Sequence, residues 1–117
     1  MEQNTKICWY LVLYPNGETE KFLDSISLFL QPKFNNPTEL KARYVFAIVG
    51  KDKKNHKLKN LNHTFDEKKE GFGNPCFVLK DYLHEEKENL LPNDTLTIFC
   101  SIVAHKFKNN TSFRIRR

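Results

Sequence analysis

The chain has 117 residues, enough for one domain with a single core, and its 10 Phe against 4 Gly favour a packed β or α+β domain over a disordered one despite a mean hydropathy of -0.61. No apolar run reaches the ~18 residues of a helical membrane span, which excludes that class. A net charge of +5 and a pI near 9.1 permit nucleic-acid or acidic-peptide binding without requiring either.

In chain order, Ile7–Tyr14 reads as a strand stopped by Pro15-Asn16-Gly17. Leu23–Gln31 is a second strand, with Ile26, Leu28 and Leu30 on one face and Ser25, Ser27 and Phe29 on the other. Pro32–Thr38 is a loop with two prolines and two asparagines. Leu40–Val49 is a third strand, apolar on both faces as in a sandwich interior. Gly50–Asn60 is a basic hairpin tip or loop, Leu61–Asp66 a short strand and Glu67–Pro75 a loop. Cys76–Leu79 leads into a helix over Tyr82–Leu91 with Asp81 as its N-cap and Glu85, Glu86 and Glu88 on a solvated face. Pro92-Asn93-Asp94 stops that helix, because Pro lacks an N–H and Asn and Asp bond back to their own backbone. Thr95–Val103 is a strand with Leu96, Ile98, Cys100 and Ile102 on one face. The segment after Ala104 is basic and polar and is expected to be a frayed tail over 105–117. Short strands separated by turn signals suggest an all-β antiparallel sandwich with one short helix before the last main strand.

Catalytic and metal signatures are weak. His56, His63, His84 and His105 lack ligand spacing, no Gly-rich phosphate loop or nucleophile elbow occurs, and neither an enzyme nor a cofactor is expected. Cys8, Cys76 and Cys100 are odd in number and sit in apolar runs, as buried free thiols would. Met1–Lys6 is polar and Ile7–Tyr14 has no small-residue cleavage site, which points to an intracellular protein of the nucleus or cytoplasm. The glycosylation-like triplets at Asn62, Asn93, Asn109 and Asn110 are then chance matches. Lys51, Lys53, Lys54, Lys57 and Lys59 form the strongest nucleic-acid candidate, but no aromatic side chain stands among them for base stacking, so a solvated loop is the better reading. The last segment does set Phe107 and Phe113 among Lys106, Lys108, Arg114 and Arg116.

Six phrases occur in order: Cys8-Trp9-Tyr10-Leu11-Val12-Leu13-Tyr14-Pro15-Asn16-Gly17, Asp24-Ser25-Ile26-Ser27-Leu28-Phe29-Leu30, Lys41-Ala42-Arg43-Tyr44-Val45-Phe46-Ala47-Ile48, Gly71-Phe72-Gly73-Asn74-Pro75-Cys76-Phe77-Val78, Asp81-Tyr82-Leu83, and Leu90 to Cys100. Together they resemble the MATH (meprin and TRAF homology) domain of speckle-type POZ proteins, over roughly Ile7 to Ala104. The resemblance implies a TRAF-like antiparallel β-sandwich. It implies a shallow groove that holds a short, extended, Ser/Thr-rich peptide against a strand edge. In such proteins a following BTB domain dimerises and recruits a cullin scaffold for ubiquitination of the captured protein. Carried over by position, the groove would be lined by Phe29, Tyr44, Phe72 and Asn74, with His63 or Thr64 at the remaining place. Tyr44 is expected to be half-exposed, and Phe72 to lie in a glycine-flanked loop.

The departures are local. The family's Trp-Gly-Phe is Phe72-Gly73-Asn74 here, and its Lys-Asp pair is Glu70-Gly71. The match begins at what would be the family's third strand, so an N-terminally shortened domain without a BTB partner domain is expected, and with it no cullin recruitment. The partners implied are a short linear peptide of another protein and possibly full-length relatives, with no membrane. The other readings are a BTB-less scaffold or decoy, a truncated non-functional copy, and, less favoured, a basic nucleic-acid-binding domain.

Overall fold

A computed structural model describes residues 7–34, 39–66, 70–104 and 107–116. The elements run β1 (Ile7–Tyr14), β2 (Ser25–Phe34), β3 (Leu40–Val49), β4 (Asn55–Phe65), β5 (Phe72–Leu79), α1 (Lys80–Glu85), α2 (Lys87–Leu90), β6 (Thr95–Ala104) and β7 (Phe107–Arg116). They form two antiparallel sheets, one of order β1-β2-β5 and one of order β4-β3-β6-β7. The fold is the β-sandwich that the sequence implies.

Strand alternation builds the core. On β6 Leu96, Ile98, Cys100, Ile102 and Ala104 are buried, while the residues between them are half-buried. Leu28 and Leu30 of β2 and Phe77 of β5 share one apolar cluster with Phe46 and Ile48 of the other sheet. Phe46 and Phe77 meet edge to face at 6.0 Å, and Trp9 meets Phe65 at 5.7 Å, so aromatic rings join one sheet to the other. Two serines are buried with their hydroxyls engaged. Ser27 donates to the Pro75 carbonyl and accepts from the Glu18 N–H at 3.0 Å, and Ser25 donates to Cys76 Sγ at 3.2 Å.

Five elements differ from the sequence expectation. β2 runs on through Pro32 to Phe34, while 35–38, the rest of the expected loop, lie outside the described residues. β4 begins at Asn55, so the basic loop shrinks to 50–54. Lys57 takes a left-handed φ of 53° where the β3–β4 register slips opposite Phe46 and Ile48, a bulge that hides the strand in the sequence. β5 begins at Phe72 rather than at Cys76, so Gly73 and Pro75 lie inside a strand. They are tolerated because β5 is an edge strand whose pairing with β2 slips between Ile26 and Leu28. The helix starts at Lys80 with Leu79 at its N-cap, Asp81 falls in its first turn rather than capping it, and the helix breaks at Glu86. Finally, the segment expected to fray supplies β7, which pairs with β6 from Thr95↔Arg116 to Ala104↔Phe107. Asn93 and Asp94 both adopt φ of 55° in the tight turn before β6, a conformation that Asn and Asp tolerate best among residues with a side chain.

Candidate functional site

The two sheets come together along one side at the edge strands β4 and β5. Register decides which side chains meet there. Phe72 pairs with Leu30 and Asn74 with Leu28, so both share the inter-sheet face with those buried leucines. His63 pairs with the buried Ala42 and therefore also faces inward. The result is a graded row of rings. Phe72, 39% exposed, stacks on His63 at 4.0 Å and 5°. His63 meets Phe65 edge to face at 4.6 Å, and Phe65 stacks on Tyr44 at 6.3 Å.

Tyr44 is 2% exposed, so its ring belongs to the core and not to a half-open groove. Only its hydroxyl reaches the seam, where it donates to the Phe72 carbonyl at 2.7 Å. Burial, with a smaller contribution from Cys100, holds the phenol well above its usual pKa and keeps it a neutral donor. His63 is pushed below the usual histidine value by partial burial, against a smaller opposing effect of Asp66.

The other candidates lie elsewhere. Phe29 pairs with Gly73 on the outer face of its sheet, where its ring meets Tyr14 edge to face at 5.8 Å. A side chain on Gly73 would run into the Leu28 carbonyl and the Phe29 backbone, so this glycine permits the close approach of β5 to β2. Asn74 turns its Oδ1 onto its own strand, accepting the Cys76 N–H at 2.9 Å. Thr64 points to the opposite face of β4 from His63, and both residues help line a concavity of about 630 Å³ with Lys41, Ala42, Arg43, Asn62 and Val103. The structure thus gathers Tyr44, His63 and Phe72 in one ring row, leaves Asn74 on the face of Phe72 with its amide turned back onto β5, and sets Phe29 and Thr64 on the opposite faces of their strands. Phe65, absent from the sequence-based set, links His63 to Tyr44. Its signal was its place two residues after His63 on the same strand face.

A second polar cluster ties the β3–β4 turn to α2. The Asp52 carboxylate lies 3.0 Å from His56 Nε2, accepts the Lys54 N–H at 3.0 Å and accepts from Asn89 Nδ2 at 3.2 Å. Asn89 in turn accepts the N–H groups of Asp52 and Lys51. His56 first, then the Lys54 amide, holds the Asp52 carboxyl below its usual range. These bonds close a turn, and among the described residues no group of His, Cys, Asp and Glu could hold a metal ion. The cysteines are free but not uniformly buried: Cys8 is exposed, Cys76 half-buried, and only Cys100 buried, with its thiol pushed up to about 12 by burial.

A family model described as the MATH domain matches residues 3–102. The chain is also similar to the TD and POZ domain-containing protein 2 of Mus musculus, at 28% identity over 100 residues. Those residues are 85% of this chain and 28% of that relative, so the chain spans less than a third of the relative's length.

Proposed function

The chain belongs to the MATH domain family, and on that premise we propose that it holds a short, extended peptide of a partner protein at the seam of β4 and β5. MATH domains are generally protein-interaction modules. The observation that carries the finer reading is the exposed Phe72 ring, stacked on His63 beside the outer edge of β5. Among the described residues no strand pairs with that edge. An extended peptide would add there by main-chain hydrogen bonds and lay alternate side chains on the ring row. Tyr44 would act as a positioning residue, since it holds the Phe72 carbonyl and does not itself face a ligand. We infer further, from the resemblance to speckle-type POZ proteins alone, that such recognition would serve substrate selection for a cullin-based ubiquitin ligase, with cullin recruitment left to another domain.

Fluorescence polarisation with an array of Ser/Thr-rich peptides tests the reading. Phe72→Ala should weaken the best peptide roughly 30-fold, the ~2 kcal/mol of a binding hot spot. Thr64→Ala, on the opposite face of β4, should leave affinity unchanged. A folded protein that binds no peptide, or equal binding by wild type and Phe72→Ala, would sink it.

A further inference from the structure

The outer face of the larger sheet carries two cations with no carboxylate paired to either. Lys41 and Arg43 stand two residues apart on β3, both exposed, on the face opposite the buried Leu40, Ala42 and Tyr44. That spacing sets them roughly 7 Å apart along one side of the strand. Register places Thr64 opposite Lys41, and Asn62 and Val103 on either side of Arg43. All five line the concavity of about 630 Å³, and no Asp or Glu lines it, Glu39 and Asp66 included. Among the described residues neither Lys41 nor Arg43 makes an ion pair or a side-chain hydrogen bond. We propose that this face binds the phosphoryl group of a phosphoserine or phosphothreonine on a partner protein.

Local charge sets the chemistry of the occupant. Two like charges on one strand face repel, and a single carboxylate would neutralise only one of them. A phosphoryl group carries about −1.5 to −2 at pH 7 and neutralises both. Its oxygens also suit the donors. The Arg43 fork takes two, the Lys41 ammonium takes the third, and the Thr64 hydroxyl and Asn62 amide stand on the neighbouring strand to add further bonds. The concavity is roomier than one free anion fills, so the group arrives on a chain. Nucleic acid suits the site less well. Along β3 the charge ends at Arg43, with Val45 next on this face, which makes a point and not the track that a phosphate backbone follows. Among the lining residues no ring is free for a base to stack on, because the His63 ring is engaged on the inner face by Phe72 and Phe65. The site lies outside the ring row and does not depend on peptide binding at the seam.

Fluorescence polarisation of the full chain with a fluorescein-labelled Gly-Gly-pSer-Gly-Gly peptide tests the proposal, beside the same peptide carrying Ser or Asp in place of phosphoserine. Only the phosphopeptide should bind, and more weakly as salt is raised. Lys41→Gln and Arg43→Gln should each weaken it at least about tenfold. Arg43→Lys, which keeps the charge and loses the fork, should weaken it by less. Phe72→Ala should bind it like wild type, which separates this site from the seam. Should a glutamine variant fail to fold, amide chemical-shift changes in the wild type on adding the phosphopeptide give the same reading, centred on residues 41–43 and 62–64. No binding of the phosphopeptide overturns the proposal, as do equal binding of the unphosphorylated peptide and shifts centred elsewhere. An oligothymidylate that binds more tightly than the phosphopeptide also overturns it and gives the patch to nucleic acid.

Discussion

At the scale of single residues, Tyr44 shows how a core side chain can set the pose of an exposed one. Its hydroxyl is the described donor to the Phe72 carbonyl, and its ring lies under the same stack that Phe72 caps. Tyr44→Phe keeps the ring and removes the bond, so it should cost about 1 kcal/mol. This is measurable as a lower urea midpoint at unchanged slope. His63 adds a pH dependence. Its folded pKa is lowered, so just below histidine's ordinary value of about 6.5 the unfolded chain binds more protons than the folded one. Stability therefore rises with pH through that window and falls on acidification. The thermal midpoint should drop between pH 7 and pH values below about 6.5, and His63→Gln should flatten that slope. Thiol chemistry should sort by burial. Alkylation read by mass spectrometry should modify exposed Cys8 quickly and Cys100 only on unfolding, because burial keeps the Cys100 thiol protonated. The individual rings were legible in the sequence, but the stack was not. It depends on two registers in different sheets, Ala42↔His63 and Leu30↔Phe72, that no local pattern encodes.

At the scale of elements, legibility followed the residues each strand carries: interior β2 is misjudged at both ends, where Leu23 precedes it and Pro32 lies within it. The bounds of β3 match the apolar run Leu40–Val49, and β6 shows its alternation openly; both are interior strands with neighbours on each side. β4, β5 and β7 were hidden or cut short, because edge strands carry the lysines, arginines, glycine and proline that propensity reads as loop. β1 is the edge strand without such residues, and its bounds were read correctly as Ile7–Tyr14. The helix pattern was right in place and wrong in detail, since a break at Glu86 divides the expected single helix. Gly73 gives this scale its test. Gly73→Ala sets a methyl group against the Leu28 carbonyl and must push β5 away from β2. The expected loss is about 1–3 kcal/mol, read from urea unfolding, together with weaker binding at the seam.

At the scale of the molecule, the order of six sequence phrases was enough to place the family and the sandwich, because those phrases lie largely on strands and turns of the core. What the phrases could not reach was the closure of the second sheet. β7 covers the far edge of β6, and Ile115 packs against the core cluster opposite Leu96. Truncation after Ala104 should therefore strip a whole strand. A loss of a few kcal/mol from the ~5–15 kcal/mol typical of a domain is expected. Thermal melting should show a large drop in midpoint, with aggregation through the newly bared β6 edge. A truncated chain that melts like the full one would reduce β7 to an ornament on the sheet.

The slip in β5 at Pro75 limits what any bound segment can do. Pro75 offers no N–H, its carbonyl is occupied by the Ser27 hydroxyl, and the β2–β5 register shifts beside it. A peptide following this edge meets unshifted backbone only from Phe72 to Asn74, where the Phe72 carbonyl already accepts the Tyr44 hydroxyl, a footprint of at most roughly 10 Å at ~3.3 Å per residue. So short a footprint favours weak, rapidly exchanging contacts over durable single ones. Selectivity would then come from valency: partners that repeat the motif, or readers presented more than once, gain by raised effective concentration what one short strand cannot hold alone.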